Sequence, residues 1–411
     1  MKKILLVCIL FLSGCSAAIQ SHLDDVQTNF ANQDFIQSEN QSVEDENNLD
    51  LLINGMGLFH ANKYQESDLT FEEFNKRHLS ETSSSFSREA STLLFGNAVN
   101  SYKPYMMDSL FVSYYQLWNL LAMHDFDNAR VVINQSYARQ QNMSVEYKKL
   151  IEENKSAITE KSEYAEIINE NAGDWLAFRD IMNPALMYLS GIYFLNMGEW
   201  ADAELYLNRA SGMMPENKFI KQDLELAKKH QKPKNITWVF SESGFAPRLR
   251  EQGASFYLPN VGIVYFSISE PYFDGNAVKP ANSQMIANVD ELFMTEYSQY
   301  RINEILRSYA SAVSKTILQA TAYNSNNKSS LLLGAMSTIY TVSSSSAEIR
   351  TWATLPKHIY INRITNDKSN LNALDLDDSI KSEIKQNANY LVYKRILGDR
   401  SVDTKLINMK K

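Results

Sequence analysis

The chain is expected to be α+β and multidomain: stacked helical hairpins that form an α-solenoid, followed by a smaller domain in which strands surround one long helix. Three observations lead there. Apolar residues recur at helical spacing from Leu51 to about Lys232. At Pro233 the pattern changes to β-branched and aromatic runs cut by Gly and Pro. At 411 residues and 44% hydrophobic content, the chain is long and apolar enough to fill more than one core.

The amino terminus comes first in chain order. "MKK" is a basic start, "ILLVCILFL" an apolar run too short to span a bilayer, and Leu12, Ser13 and Gly14 bring small residues up to Cys15. This arrangement resembles the lipobox of bacterial lipoproteins. The resemblance implies cleavage before Cys15, a covalent lipid on it (diacylglycerol and an amide-linked palmitate-like chain), and residues 1–14 as signal peptide. Ser16, where an Asp would retain the protein at the inner membrane, implies the outer membrane of a Gram-negative cell, with the chain facing the periplasm. Each buried CH₂ contributes about 0.8 kcal/mol, so two or more acyl chains hold where one does not. Cys8 and Cys15 are the only cysteines, so no disulfide supports the fold. Residues 15–48 are rich in Gln, Asn, Ser and acids and are expected to be a flexible tether with a span of about 30 Å.

Residues 49–232 hold the hairpins. In "GIYFLNMGEWADAELYLNRASGMMP", Gly191, Phe194, Gly198, Trp200, Ala203, Leu207, Ala210 and Pro215 stand at offsets 0, 3, 7, 9, 12, 16, 19 and 24. Gly191 and Ala203 are small where two helices cross, Gly198 permits the turn, aromatic and aliphatic residues fill the gaps, and Pro215 stops the second helix. The pattern resembles a tetratricopeptide (TPR) repeat. Weaker copies place Gly55, Leu58, Asn62, Tyr64, Ser67, Phe71 and Phe74, and then Leu117, Leu120, His124, Phe126, Ala129 and Ile133, at the same offsets. Further hairpins are expected, one formed by "REASTLLFGNAVNSYK" and another that includes the charged run from Ser144 to Glu170, which reads as a long solvated helix. Residues 216–231, "ENKFIKQDLELAKKHQ", suit a capping helix. Solenoids bind along the concave face of their first helices, which places Asn54, Tyr115, Asn119 and Tyr188 as the exposed binding positions.

Residues 233–411 form the expected α+β domain. "NITWVFSESG", "GASFYLP", "VGIVYFSIS", "TWATLPKHIYINRI" and "NYLVYKRIL" read as strands, and Asn288 to Ala322 as the long helix.

Little in the chain announces chemistry. A net charge of −8 without a basic block excludes a nucleic-acid footprint. The six histidines, His22, His60, His78, His124, His230 and His358, lack metal-ligand spacing, so neither metal nor cofactor is expected beyond the lipid on Cys15. "DLDDSIKSEIKQ" opens like a calcium loop but carries Ile380 where Gly is needed and Gln386 where Glu belongs. "SNNK" at 325–328 matches a Ser-x-x-Lys pattern by letters only, and no catalytic residue is assigned.

Two stretches stand out. "SESGFAPRLRE" carries Arg248 and Arg250, either as a loop presenting cations to an acidic or carbohydrate partner or as a turn entering an edge strand. "SAEIRTWATLP" brings Glu348, Arg350 and Trp352 together, either as a buried ion pair shielded by the indole or as a ligand site. With "YKPYMMDSLFVSYYQLWNLLAMHDFDNARVVI", these stretches resemble an uncharacterised bacterial family of TPR-containing outer-envelope lipoproteins. Arg350, Trp352, Leu355 and Pro356 carry its "R-x-W-x-x-L-P" segment, while Met107-Asp108 departs from a plain Tyr-Glu pair. The resemblance implies a place among envelope lipoproteins, including those that assist cell-wall synthases, and brings no activity with it. The expectation is a non-enzymatic scaffold that binds an envelope protein or peptide. The alternative is a periplasmic enzyme acting on cell-wall or lipid material around Glu348 and Arg350.

Overall fold

Why each helix starts and stops can be read from its ends in the computed structural model, which describes residues 14–36, 47–81, 102–160, 182–258, 262–273, 275–302, 304–305 and 347–410. Helix α1 spans Gly14–Ala31. Helix α2, Asn48–His60, begins at a capping box in which the Asn47 side chain accepts from the Leu49 and Asp50 amides. It is followed by α3, Tyr64–Glu81, then α4, Met106–Ala122, and α5, Phe126–Glu160. Helix α6, Pro184–Met197, has Asn183 as N-cap and proline in its first turn. Helices α7, Trp200–Met213, and α8, Lys218–Lys228, complete the helical half.

Three hairpins, α2–α3, α4–α5 and α6–α7, repeat one construction. The residue at offset 7 is left-handed in each: Asn62 at φ +62°, His124 at +56° and Gly198 at +79°. The residues at offsets 0 and 16 meet where the helices cross. A Cβ on Gly55 would lie 2.6 Å from the Phe71 ring, and one on Gly191 would lie 2.6 Å from Leu207 Cγ. Leu117 and Ile133, the third such pair, are both fully buried. Ala203, Ala210 and Phe194 are buried as well, and the half-buried Trp200 stacks on His230. Neighbouring hairpins are joined by Asn119 Nδ2 donating to Ser67 Oγ at 2.8 Å and by Tyr193 Oη donating to the Phe126 carbonyl at 2.6 Å. The run from Ser144 is helical as expected as far as Glu160, but as the continuation of α5 and not as part of a separate hairpin. The "REAST" hairpin and residues 161–170 fall outside the described residues.

After Pro233 the strands are β1, Ile236–Ser243, β2, Arg248–Leu258, β3, Gly262–Tyr272, and β4, Gln284–Asn288. A helix over residues 289–302, α9, opens the expected long helix, whose part beyond residue 305 is outside the described residues. Strand β5, His358–Thr365, precedes the short helices α10, Lys368–Asn372, and α11, Asp378–Glu383. Strands β6, Tyr390–Leu397, and β7, Arg400–Asn408, end the chain. The main sheet has the order β4-β5-β1-β6-β7, antiparallel except for the parallel β1–β6 pair. Strands β2 and β3 form a separate two-stranded antiparallel ribbon. The fold is therefore mixed α+β.

Every residue of β1 and β6 is buried, as expected for strands covered on both faces. Val239 and Val392 face Leu374 and Leu376, which precede α11. The opposite face, Trp238, Phe240 and Glu242 with Leu391, Tyr393 and Arg395 in register, meets the first helices of the hairpins. Helices and sheet thereby share one apolar cluster, reaching from Leu23 to Met409.

Two expectations are corrected by this packing. Residues 15–31 of the expected tether are helical, and Leu23, Val26 and Phe30, at i, i+3 and i+7, are buried in the common core. Gln27 donates to the Ala353 carbonyl at 2.7 Å, and Asp24 pairs with Arg248. The positions assigned to an open concave face are closed: Tyr115, Asn119 and Tyr188 are fully buried and Asn54 half-buried, Tyr115 and Tyr188 meeting Glu242 and Phe240 of the chain's own sheet and Asn119 meeting Ser67 of α3.

Candidate functional site

The period-2 geometry of the sheet places Glu242, Arg395, Asp403 and Lys405 on the helix-facing side, while Lys394 turns to the other face and pairs with Asp375. Glu242 is in register with Arg395, and Arg395 with Asp403, while Tyr393 is in register with Lys405. Helices α2 and α4 bring His60 and Tyr115 onto this row. Glu242 and Arg395, both fully buried, approach to 3.6 Å. The same carboxylate oxygen accepts from Tyr115 Oη at 2.8 Å and from Tyr393 Oη at 2.7 Å. Arg395 also donates to the Thr354 carbonyl at 3.1 Å, with Phe30 and Phe245 beside its guanidinium at 5.6 and 5.4 Å. His60 Nδ1 lies 2.8 Å from Asp403 Oδ2, which Lys405 Nζ meets at the same distance.

Burial pushes His60 down to about 4, so at neutral pH its imidazole is uncharged and Nδ1–H donates to Asp403. Burial alone would raise Asp403, but His60 and Lys405 hold it below the usual carboxylate range. Burial raises Glu242, against the pull of Arg395 and the phenol hydroxyls. The arrangement runs Asp403, His60, Tyr393, Glu242, Tyr115, and it joins strands β1, β6 and β7 to α2 and α4. Phe59, Trp118 and Phe30 pack around it, so its chemistry is that of a lock between the two halves.

A second carboxylate group stands at the start of α4. Asp108 accepts from the Tyr105 amide at 2.8 Å and Tyr102 Oη at 2.7 Å. Glu296 of α9 accepts from the amides of Met106 and Met107, the latter at 2.9 Å, and so caps α4 from another element. Burial raises Asp108 to about 7 and Glu296 to about 8 despite these hydrogen bonds. Both groups hold in the fold a proton that the unfolded chain releases near pH 4. Their stabilisation is full below that pH and is lost as pH rises through about 7 and 8. The melting temperature is expected to fall between pH 5 and pH 9, and the combined Asp108→Asn and Glu296→Gln changes should flatten that slope in scanning calorimetry.

The residues singled out in the sequence do not converge on one site. Glu348 and Arg350 form their ion pair through two hydrogen bonds, Arg350 Nε to Glu348 Oε1 measuring 2.7 Å. The ring beside Arg350 is Tyr102, at 6.0 Å, and not the expected indole. Trp352 is buried between Phe71 and Tyr115. Arg248, the first residue of β2, is buried in its pair with Asp24, whereas Arg250 is exposed with its guanidinium 5.6 Å from the Tyr272 ring. Among the described residues, no three His, Cys, Asp or Glu side chains are grouped so as to hold a metal ion. Cys15 and Gly14 lie in the first turn of α1, and Leu12 and Ser13 outside the described residues.

Sequence reading missed Glu242, Arg395, Asp403 and Lys405. Their signal is a charge on the alternating face of an otherwise apolar strand, as in "LVYKRIL", which requires a buried partner.

One feature of the outer surface follows the hairpin register. Leu69, Val131 and Leu205 each stand at offset 14, on α3, α5 and α7, and are 57%, 47% and 40% exposed. No family model, curated protein or solved structure matches the chain.

Proposed function

We propose that the protein is an outer-membrane lipoprotein, acylated on Cys15 and facing the periplasm, whose TPR-like hairpins bind an envelope protein or peptide without catalysis. The observation that carries the reading is the row Leu69, Val131 and Leu205. One exposed aliphatic residue recurs at the same position of three hairpins, where a solvated helix face would carry polar side chains. The partner surface is accordingly the outer face of the second helices, since the first helices are engaged by the sheet. The TPR-like reading is supported by the shared left-handed turn and the shared crossing at offsets 0 and 16. The lipoprotein reading rests on Leu12-Ser13-Gly14-Cys15. The non-catalytic reading is supported by the closure of Glu348 on Arg350.

The test has two arms. Cells fed a palmitate analogue are expected to label the wild type and not Cys15→Ser; an unlabelled wild type overturns the anchor. Cross-linking in intact envelopes is expected to give one discrete adduct that is lost in the Leu69→Ser, Val131→Ser, Leu205→Ser variant while its melting temperature holds. An adduct unaffected by the three changes overturns the binding face.

A further inference from the structure

We infer that the β2–β3 ribbon is a second membrane contact, whose tip residues Tyr257 and Ile263 enter the lipid surface beside the acyl anchor. The inference rests on the reading of Cys15 as the anchor.

From Gln252 to Ser269 the sequence has 18 consecutive residues without Asp, Glu, Lys, Arg or His, in a chain that is 21% charged. That run makes up most of a ribbon standing apart from the main sheet. Leu249 and Ile268 are buried toward its root, and Phe266, about halfway along β3, is buried as well. Toward the tip, Tyr257 and Ile263 are cross-strand partners, 71% and 59% exposed, the two most exposed large apolar residues among the described side chains of the ribbon. An aromatic and an aliphatic side chain at the end of an uncharged hairpin suit the interfacial zone of a bilayer, where Tyr is enriched. A soluble ribbon edge would instead carry charge to prevent pairing with other chains.

The position of the ribbon selects lipid over protein as occupant. Its root is fastened to the anchor helix: Arg248, the first residue of β2, pairs with Asp24 of α1. Asp24 lies nine residues after Cys15, about 14 Å along a helix. The eleven-residue strand β2 extends about 36 Å. Because α1 is docked in the core, the acylated end cannot drift far from the body, and the length of the ribbon, about 36 Å, exceeds the about 14 Å of helix between Cys15 and the ribbon's root.

The experiment uses the chain beginning at Ser16, which contains no cysteine, carrying an amino-terminal histidine tag. The tag holds it on vesicles of phosphatidylethanolamine and phosphatidylglycerol doped with a nickel-chelating lipid. This fixes the anchor point whether or not Cys15 is acylated in cells, so failure of the ribbon and failure of the lipoprotein reading are separate results. An environment-sensitive fluorophore is attached through Ile263→Cys, in a second protein through Tyr257→Cys, and in a control through Glu251→Cys at the exposed root. The expected result is a blue shift and quenching by spin-labelled lipid at 263 and 257, with neither at 251. Water-like emission at both tip positions on the vesicles overturns the inference. So does shielding of the tip that develops only when envelope proteins are added, which would make a protein the occupant.

Discussion

Replacing Arg395 with methionine is expected to destabilise the protein by about 3–5 kcal/mol, the usual cost of removing one partner from a buried ion pair. The loss arises less from the 3.6 Å contact itself than from what remains. Glu242 would stay fully buried with two phenol hydroxyls and no counter-charge, in surroundings that already push its carboxyl upward. The cost is spread over the molecule because the guanidinium also holds the Thr354 carbonyl and lies against Phe30 and Phe245. Adding Glu242→Gln to the same protein is expected to recover more than half of the loss, since a neutral amide oxygen still accepts from Tyr115 and Tyr393. Urea denaturation of the wild type, both single variants and the double variant gives the coupling directly. A double variant whose loss equals the sum of the two single losses would mean that the pair contributes nothing as a pair.

The coupled groups come from distant parts of the sequence, which explains where sequence reading succeeded and where it did not. The hairpin offsets are local: Gly191 meets Leu207 and Gly55 meets Phe71 across one turn, so residue size and spacing alone predict the crossings and the left-handed residues at 62, 124 and 198. Strands β1, β2, β3, β5 and β6 were legible from the β-branched and aromatic residues they carry, although the charged start of β2, Arg248 to Gln252, lay outside the run read as strand and the run read for β5 began at Thr351, seven residues early. Strand β4 is only five residues long, and β7, "RSVDTKLIN", spends its alternate positions on Asp403 and Lys405, so neither carries the usual signal. The face of Tyr115, Asn119 and Tyr188 was misassigned for a different reason. Helical period states that a face is engaged, but not whether its partner is solvent, a ligand or a strand more than a hundred residues later. Tyr115 finds Glu242 and His60 finds Asp403 only when the chain closes. The carboxylates at the head of α4 were hidden likewise, because Glu296 caps amides 189 and 190 positions away.

The amino-terminal helix provides the sharpest contrast between composition and packing. Phe30→Ala is expected to cost about 3–5 kcal/mol, as for a fully engaged core aromatic. A tether residue would cost nothing measurable. The Phe30 ring meets Phe35 at 5.1 Å and His60 at 4.7 Å and lies 5.6 Å from the Arg395 guanidinium, so the loss should be less than additive with that of Arg395→Met. Polar residues dominate "SAAIQSHLDDVQTNFANQD", yet three apolar side chains on one helical face are enough to dock it. The consequence reaches the membrane. With α1 docked, the distance from Cys15 to its first core residue, Leu23, is about 12 Å of helix. Released as coil, the stretch up to α2 would span about 30 Å. A Phe30→Ala protein examined below its melting temperature is therefore expected to stand farther from the bilayer, measured by energy transfer from a label on the body to a lipid dye. An unchanged distance together with unchanged stability would return residues 15–31 to the role of a tether.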